Sequence, residues 1–329
     1  MTALVTGAAG FVGSAVVRQL LERGESVRAF VRPSSDLRNL TDLNIEILRG
    51  DLTDRRSMDA ALKGCDSLFH VAADYRLWVP NPAAMFAANV EGTRQMMLAA
   101  GEAGVKRIVY TSSVATLGLL PDGALADEDT LATPADMIGP YKQSKFEAEK
   151  VVRQMITAAG LPAVIVHPST PIGPRDLKPT PTGKIVVDAA SGRMPGFVDT
   201  GLNVVHVDDV AIGHLQAFEQ GKIGERFILG SENLTLAEIL GIVARLCNRR
   251  PPSLRIPHGV VMPIAGFAEI WARLSGKEPF ATRDGVRLAR KKMFFTCERA
   301  MRQLGYQPRP AEAAIADAVQ WFTANGYLR

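Results

Sequence analysis

Short apolar runs alternate with segments of helical periodicity along the first half of the chain. After a first strand that ends near Thr6, the runs predict strands at 27–31, 45–48, 67–71, 107–111 and 161–166. Apolar residues at helical spacing predict helices at 11–23, 56–63, 83–104 and 141–158. Strands that alternate with helices indicate a parallel sheet covered by helices on both faces. Ligands of such a sheet bind at the carboxyl ends of its strands.

The second half of the chain has a different pattern. The stretch 168–195 is rich in Pro, Gly and Thr, which is typical of loops. Beyond it, the pattern predicts helices at 207–221, 235–248, 258–275 and 311–325, and strands at 203–207 and 226–229. The strand at 203–207 is predicted to return to the main sheet.

The first strand runs into a glycine motif, Gly7, Gly10 and Gly13. Glycines at this spacing allow a tight turn and expose the helix amides to a pyrophosphate. A glycine-rich turn without a ligand is the alternative, but its place in the first strand–helix unit favours a dinucleotide. We therefore predict an α/β Rossmann fold, a doubly wound parallel sheet with a smaller C-terminal substrate-binding region. Residues 1–167 would bind the dinucleotide and residues 168–329 mainly the substrate, with segment 203–225 returning to the core.

Composition sets limits on the partners. With 47% hydrophobic and 22% charged residues, the 329-residue chain is typical of soluble globular proteins, and a net charge of +4 does not indicate nucleic acid. The five histidines are scattered and the three cysteines are far apart, so we expect no metal site and a reduced compartment. Met1 runs almost directly into the first strand, and no apolar run reaches the ~18 residues of a membrane span. We expect a cytoplasmic protein.

Tyr141 and Lys145 lie four residues apart in a predicted helix and therefore share one face. Free tyrosine titrates near ~10, which makes it a poor base at neutral pH. A neighbouring ammonium and a cationic nicotinamide both favour tyrosinate and make it a usable acid/base. A surface Tyr–Lys pair is the alternative. The hydroxyls of Thr111, Ser112 and Ser113, at the end of the fifth strand, favour the functional interpretation.

The segment Asn89–Thr93 lies inside a predicted helix although Asn89 and Gly92 are poor helix formers. Residues that disagree with the local structure in this way often occupy functional positions. A tolerated imperfection is the alternative.

Taken together, these motifs resemble the extended branch of the short-chain dehydrogenase/reductase superfamily, the NAD-dependent epimerase/dehydratase family. The matching segments are Gly7/Gly10/Gly13, 50–54, 70–73, 89–93, 111–113, Tyr141/Lys145 and 206–211. The resemblance implies Ser113, Tyr141 and Lys145 as the catalytic triad, with Ser113 preferred to Ser112 because it lies five residues before Gly118. It implies cofactor contacts at Gly7, Gly10, Phe11, Val12, Gly13, Asp51, Leu52, Ala72, Ala73, Tyr141, Lys145, Pro168 and Thr170.

More narrowly, segments 71–78, 167–174 and 289–295 resemble the hopanoid-associated sugar epimerases of bacteria. This resemblance implies an NAD(P)-dependent oxidoreductase or epimerase that acts on a secondary alcohol or ketone in hopanoid lipid biosynthesis. A reductase would release the reduced product, whereas an epimerase would return the hydride to the other face of the bound ketone. The two reactions share their residues, so both remain open.

Two features depart from the sugar-nucleotide epimerases, and a third departs from the dehydratases. Val31 stands where an acid would bind the ribose 2′-hydroxyl, and Arg32 follows it, which suits a 2′-phosphate and is similar to the dihydroflavonol reductases. We therefore expect NADP, with NAD as the alternative. Segment 290–293 replaces the element that grips a nucleotide-sugar diphosphate, which puts a UDP-sugar in doubt. Val114 and Ala115 replace the Asp-Glu pair of the dehydratases, which excludes sugar dehydration.

The substrate is expected to be a small or lipid-linked sugar or polyol. Tyr75 and Trp78 follow the fourth strand and are predicted to wall the pocket, with packing beneath a lid as the alternative. Arg175 and Lys178 are predicted to meet a phosphate or a hydroxyl-rich ligand, with a solvated loop as the alternative.

Other functions and assemblies stay open. A dihydroflavonol-reductase-like ketone reductase outside the hopanoid pathway is one alternative, and a non-catalytic dinucleotide sensor is another. A peripheral membrane contact is a third, carried by the apolar stretch 260–274 and the basic segment 283–292, although Pro263 favours core packing for that stretch. Four apolar side chains on the helices at 83–104 and 141–158 predict a homodimer, with core packing as the alternative: Met96, Met97, Val151 and Met155.

Overall fold

The computed structural model describes residues 1–277, 279 and 281–328. The strands are β1 (Thr2–Thr6), β2 (Ser26–Val31), β3 (Glu46–Arg49), β4 (Ser67–His70), β5 (Arg107–Thr111), β6 (Ala163–Pro168), β7 (Thr170–Ile172), β8 (Gly196–Phe197), β9 (Gly201–His206), β10 (Arg226–Leu229), β11 (Glu232–Thr235), β12 (Leu254–Arg255) and β13 (Lys292–Met293). The helices are α1 (Phe11–Glu22), α2 (Arg55–Leu62), α3 (Ala83–Phe86), α4 (Gly92–Glu102), α5 (Gly139–Ala159), α6 (Pro181–Ala190), α7 (Val207–Gln220), α8 (Leu236–Leu246), α9 (His258–Ser275), α10 (Arg283–Ala289), α11 (Glu298–Leu304) and α12 (Ala311–Ala324).

The main sheet has seven strands in the order β10-β6-β5-β4-β1-β2-β3, and every neighbouring pair is parallel. The predicted doubly wound α/β fold is confirmed. The strand order reverses between β1 and β4, whose last residues Thr6 and His70 stand side by side. In sheets of this kind, the crevice outside such a reversal point binds the ligand.

Helices cover the main sheet on both faces. Along β1, Ala3 and Val5 belong to one apolar cluster, which also holds residues of α1 and α7. Leu4, between them, belongs to a second cluster with residues of α2, α4 and α5. Side chains of a strand point alternately to its two faces, so one apolar run fills both cores.

The loops predicted over 168–195 are partly wrong, because the stretch contains β7 and α6. Pro181 occupies the first turn of α6, where the missing amide hydrogen costs nothing. The Thr180 hydroxyl accepts a hydrogen bond from the Gly183 amide at 3.1 Å and caps the helix. Val186 is fully buried on its inner face.

The strand predicted at 203–207 exists, but it does not return to the main sheet. It forms β9, which pairs with β7, β11 and β13 in a separate four-stranded sheet. The following α7 packs against α1 and the main sheet, and β10 joins the sheet edge beside β6. The division of the chain at residue 167 stays a prediction.

The methionines that suggested a homodimer belong to the core. Met96 and Met97 are 0% exposed, Val151 is buried, and Met155 packs against the same apolar cluster. The sheet and its helices cover these side chains, so the surplus of apolar surface that supported the dimer does not exist.

The stretch 258–275 forms α9 with the predicted bounds, and Pro263 does not interrupt it. The predicted core packing of its large side chains is wrong. Phe267 is 74%, Trp271 69% and Leu274 79% exposed, whereas the buried residues of the helix are small.

Candidate active site

The glycine turn after β1 brings three parts of the backbone close together. Gly7 has φ +65°, and a Cβ atom there would lie 2.8 Å from the Cα atom of Ala72, after β4. A Cβ atom at Gly13 would lie 2.1 Å from the Gly7 carbonyl oxygen. Gly10 precedes α1 without a side-chain cap, which leaves the first amides of Phe11 and Val12 for an anion. These residues fit the pyrophosphate of a dinucleotide.

A buried polar network fixes the end of β4 beside this turn. The Thr6 hydroxyl lies 2.9 Å from His70 Nδ1 and accepts a hydrogen bond from the Ala72 amide at 3.1 Å. His70 Nε2 lies 3.1 Å from the Thr93 hydroxyl. Burial, together with the nearby Lys145 ammonium, lowers the pKa of His70 to about 3. The ring is therefore neutral at pH 7 and holds the backbone that leads to Ala73.

The ends of β2 and β3 provide the predicted adenosine side. Arg32 follows the buried Val31 and is exposed, and its guanidinium makes no hydrogen bond or ion pair with any residue that the structure describes. Asp51 follows β3 and accepts hydrogen bonds from the Thr53 amide and hydroxyl at 2.9 and 2.7 Å. Leu52 lies against Gly92, where a Cβ atom would be 2.8 Å from the Leu52 Cβ atom. Gly92 is therefore required for close helix packing.

The proposed triad comes together at the carboxyl end of β5. α5 begins at Gly139, so Tyr141 lies in its first turn and Lys145 one turn later. Ser113 lies two residues after the end of β5, and its hydroxyl is close enough to the Tyr141 hydroxyl to lower the tyrosine pKa. The Lys145 ammonium donates to the Thr111 carbonyl oxygen at 2.7 Å. The three side chains thus form one group, although their catalytic roles stay a proposal.

The protonation of this group differs from the sequence prediction. Burial raises the pKa of the Tyr141 hydroxyl above its ordinary value, and the Ser113 hydrogen bond opposes this rise. Burial lowers the pKa of Lys145 to about 8, against the opposing charge of Glu149. The expected lowering of the Tyr141 pKa by Lys145 is not found, because desolvation outweighs other influences and Lys145 donates to the Thr111 carbonyl instead.

A buried carboxylate behind the triad was missed by the sequence analysis. Glu149 accepts hydrogen bonds from Ser112 at 2.5 Å and Thr116 at 2.7 Å, and lies 2.9 Å from His167 Nε2. Burial raises the pKa of Glu149, but His167 and the two hydroxyls outweigh burial and hold the pKa below its ordinary value. Ser112 is engaged by Glu149, and this leaves Ser113 as the hydroxyl that meets Tyr141. The available signal was spacing, since Glu149 lies one helical turn beyond Lys145.

Asn89 ties the loop after β4 to α5. Its side-chain oxygen accepts from the Asp74 amide at 2.7 Å, and its amide nitrogen donates to the Asp74 carbonyl and the Ser144 hydroxyl, both at 2.9 Å. A π-helical turn over 87–91 accommodates Asn89, which is buried. Such turns are common at functional sites, which supports a positioning role.

The predicted substrate residues lie in different surroundings. Tyr75 is 46% exposed and Trp78 is half-buried, both after β4. Arg175 pairs with Asp208 at the start of α7, and Lys178 is exposed. Pro168 ends β6 and Thr170 begins β7, at the same edge as Thr111. The contacts of these residues with substrate or cofactor stay predictions, and Arg175 already has a partner.

Comparison with known proteins decides the family. Residues 3–230, more than half of the chain, match the model of the "NAD dependent epimerase/dehydratase family". The chain belongs to this family. The match covers the whole main sheet and the proposed triad.

Relatives extend the similarity beyond residue 230. A Synechocystis protein named as a dihydroflavonol 4-reductase is 43% identical, over 99% of this chain and 95% of its own. Sterol demethylase protein B of Methylococcus capsulatus is 37% identical over 100% of both chains. The crystal structure of gox2253 superposes with a TM-score of 0.90 at 53% identity, covering 100% of this chain and 99% of that one. The chain is an extended short-chain dehydrogenase/reductase, an enzyme of the oxidoreductase or epimerase type.

Proposed function

We propose that this enzyme transfers a hydride between NADP and a secondary alcohol or ketone, with Tyr141 as general acid/base. The observation that carries the proposal is the contact of Tyr141 with Ser113 beside the buried Lys145. Tyr141 gives a proton to the carbonyl oxygen or takes one from the alcohol, while Ser113 orients that oxygen. The cofactor supplies or accepts the hydride when bound. The glycine turn, Arg32, Asp51 and Leu52 would hold it.

The reaction is a net reduction or an epimerisation, and one assay separates the two. The purified enzyme is incubated with NADPH and candidate ketones, and in a second arm with NADP⁺ and the corresponding hydroxylated lipids or sugar phosphates, and absorbance of the reduced nicotinamide is followed. Stoichiometric loss of NADPH with product indicates a reductase. In the arm with NADP⁺, conversion of one diastereomer into another without net formation of NADPH indicates an epimerase. If no candidate reacts although NADPH binds, a dinucleotide sensor is favoured instead.

We propose a sugar, polyol or polycyclic alcohol of hopanoid lipid biosynthesis as the substrate. Segments 71–78 and 167–174 support the pathway, and they lie at the carboxyl ends of β4 and β6. The relatives named for dihydroflavonol and sterol chemistry support a polycyclic ring compound that carries no nucleotide. The first of these names also favours the second candidate, a dihydroflavonol-reductase-like ketone reductase outside the hopanoid pathway.

Arg32 should determine the preference for NADPH. Its guanidinium, after the end of β2, makes no hydrogen bond or ion pair with a described residue. A charge-assisted hydrogen bond to a 2′-phosphate should therefore favour NADPH over NADH by about tenfold or more. Arg32→Asp should reverse the preference in calorimetric titrations with both cofactors. Arg302→Asp, an exposed arginine of α11, is the matched control and should change neither affinity. Equal affinities of the wild type for both cofactors would contradict this assignment.

We also propose that the protein is a cytoplasmic homodimer. Its support is the general prevalence of two-fold assemblies, since the apolar residues that suggested it are in the core. We expect a dimer by light scattering at micromolar concentration. A monomer under these conditions would contradict it.

A further inference from the structure

Helix α9 buries its small side chains and exposes its large apolar side chains. The side packed on the protein carries Ala265, Gly266, Ala268 and Ala272, all buried. The exposed side carries the large apolar residues, with exposed fractions from 44% to 79%: Val260, Ile264, Phe267, Ile270, Trp271 and Leu274. A helix that served only the fold would bury its largest apolar residues, because burial of apolar area supplies the stabilisation. This face therefore requires a partner.

The charges around this face are positive. Arg273 and Lys277 are exposed near the end of α9, and Arg290 is exposed at the end of α10, which packs against α9. None of the three has an acidic partner among the residues that the structure describes. The carboxylates of Glu269 and Asp284 are engaged by Arg283 and Arg287.

We propose that the exposed face of α9 docks on the surface of an anionic phospholipid membrane. Large apolar side chains insert at the boundary between headgroups and acyl chains, and Trp is favoured at that depth. Arg273, Lys277 and Arg290 then meet lipid phosphates, each through a charge that has no ion-pair partner among the described residues. No helix in the described part of the chain is long and apolar enough to cross a bilayer, so the contact is peripheral.

The charges favour a membrane over a second copy of the chain. A two-fold interface brings the same patch of both subunits together. Pairing through α9 would place the three unpartnered cations of one subunit in the neighbourhood of the same three cations of the other. An anionic surface neutralises them instead. The proposal is independent of the reaction, although a lipid-linked substrate would lie at such a surface.

Vesicle sedimentation tests the proposal without any assay of turnover. The full-length protein should bind vesicles of phosphatidylglycerol and phosphatidylcholine more tightly than vesicles of phosphatidylcholine alone. The double variant Phe267→Ser/Leu274→Ser should lower the partition coefficient by about tenfold or more, because two apolar side chains no longer insert. The matched control is Ile223→Ser/Met301→Ser, which removes two large apolar residues that are 52% and 49% exposed elsewhere. It should bind like the wild type.

Two further measurements make the result decisive. The tryptophan fluorescence, which includes that of Trp271 in both double variants, should shift to the blue on vesicles only in the wild type and the control. Arg273→Gln/Lys277→Gln/Arg290→Gln should abolish the preference for anionic vesicles. NADPH binding and circular dichroism verify that each variant is folded. Equal partitioning of the two double variants would overturn the proposal. So would a wild-type dimer that ignores vesicles and dissociates in Phe267→Ser/Leu274→Ser, because the face would then pair two copies.

Discussion

Tyr141→Phe should lower the rate of hydride transfer by about 10³-fold or more and leave the affinity for the cofactor nearly unchanged. The variant removes one hydroxyl from a side chain that otherwise stays in place in the first turn of α5. That hydroxyl is the group that meets Ser113, and without it no positioned acid can protonate the substrate oxygen. Rates are measured under single turnover, and cofactor affinity is measured by calorimetry.

The control and the pH profile separate chemistry from structure. Tyr327→Phe removes a hydroxyl that donates to the Leu177 carbonyl at 2.7 Å, outside the proposed triad, and should keep the wild-type rate. The pH–rate limb that belongs to Tyr141 should be absent in Tyr141→Phe. A Tyr141→Phe enzyme that turns over at the wild-type rate would place the chemistry elsewhere.

The two partners of Tyr141 should give distinct phenotypes. Ser113→Ala should keep cofactor affinity and lose about 10²-fold in rate, as expected when one positioned hydroxyl is removed. Lys145→Met should damage both rate and cofactor affinity, because we expect this ammonium to contact the cofactor as well as the triad. In this chain it also donates to the Thr111 carbonyl at the end of β5.

The main sheet could be predicted because its signal is local. β5 and β10 have the predicted bounds, since each is a short apolar run with clear ends. α6 could not be predicted by composition, because Pro181 and Thr180 are typical of loops and also of helix starts. The Pro-rich composition of this stretch outweighed the short apolar run around Val186, which is buried in the core.

The burial of α9 could not be predicted from the sequence. Its apolar spacing predicted the bounds of the helix, but periodicity does not reveal what covers each face. The face of α9 that carries Ala268 packs on the protein, where α10 contacts the helix, whereas Trp271 stays exposed. Only the tertiary packing of α9 distinguishes a core helix from a docking surface.

Only part of the candidate site could be predicted from the sequence. Tyr141 and Lys145 share a helix face, so spacing alone predicts their proximity. The partners of Glu149 come from β6 and from the segment after β5, and no local pattern joins them. The pKa of Tyr141 likewise depends on burial, which the sequence does not state.

Glu149→Leu should lower the free energy of unfolding by about 3 kcal/mol or more in urea titrations. The substitution keeps the side chain large but removes the acceptor of Ser112 and Thr116 and the partner of His167, all in a site closed to solvent. Buried donors without an acceptor cost their full desolvation, which explains the size of the effect. Glu147→Leu, on the same helix, removes only a half-exposed ion pair with Lys150 at 3.8 Å and should cost less than about 1 kcal/mol.

The pH dependence identifies the charge of Glu149 as the cause. Its pKa is lower in the folded protein than the ordinary 4.5, so its stabilisation is present above that pH and is lost as the pH falls below it. The stability difference between the wild type and Glu149→Leu should therefore be constant from neutral pH to about 5 and shrink on further acidification. A difference that stays constant down to pH 3 would mean that packing, and not the carboxylate, is responsible. If Glu149→Leu were no less stable than Glu147→Leu, the buried cluster would not stabilise the fold. The hydrogen bond of Glu149 to Ser112 would then matter only for the reaction rate.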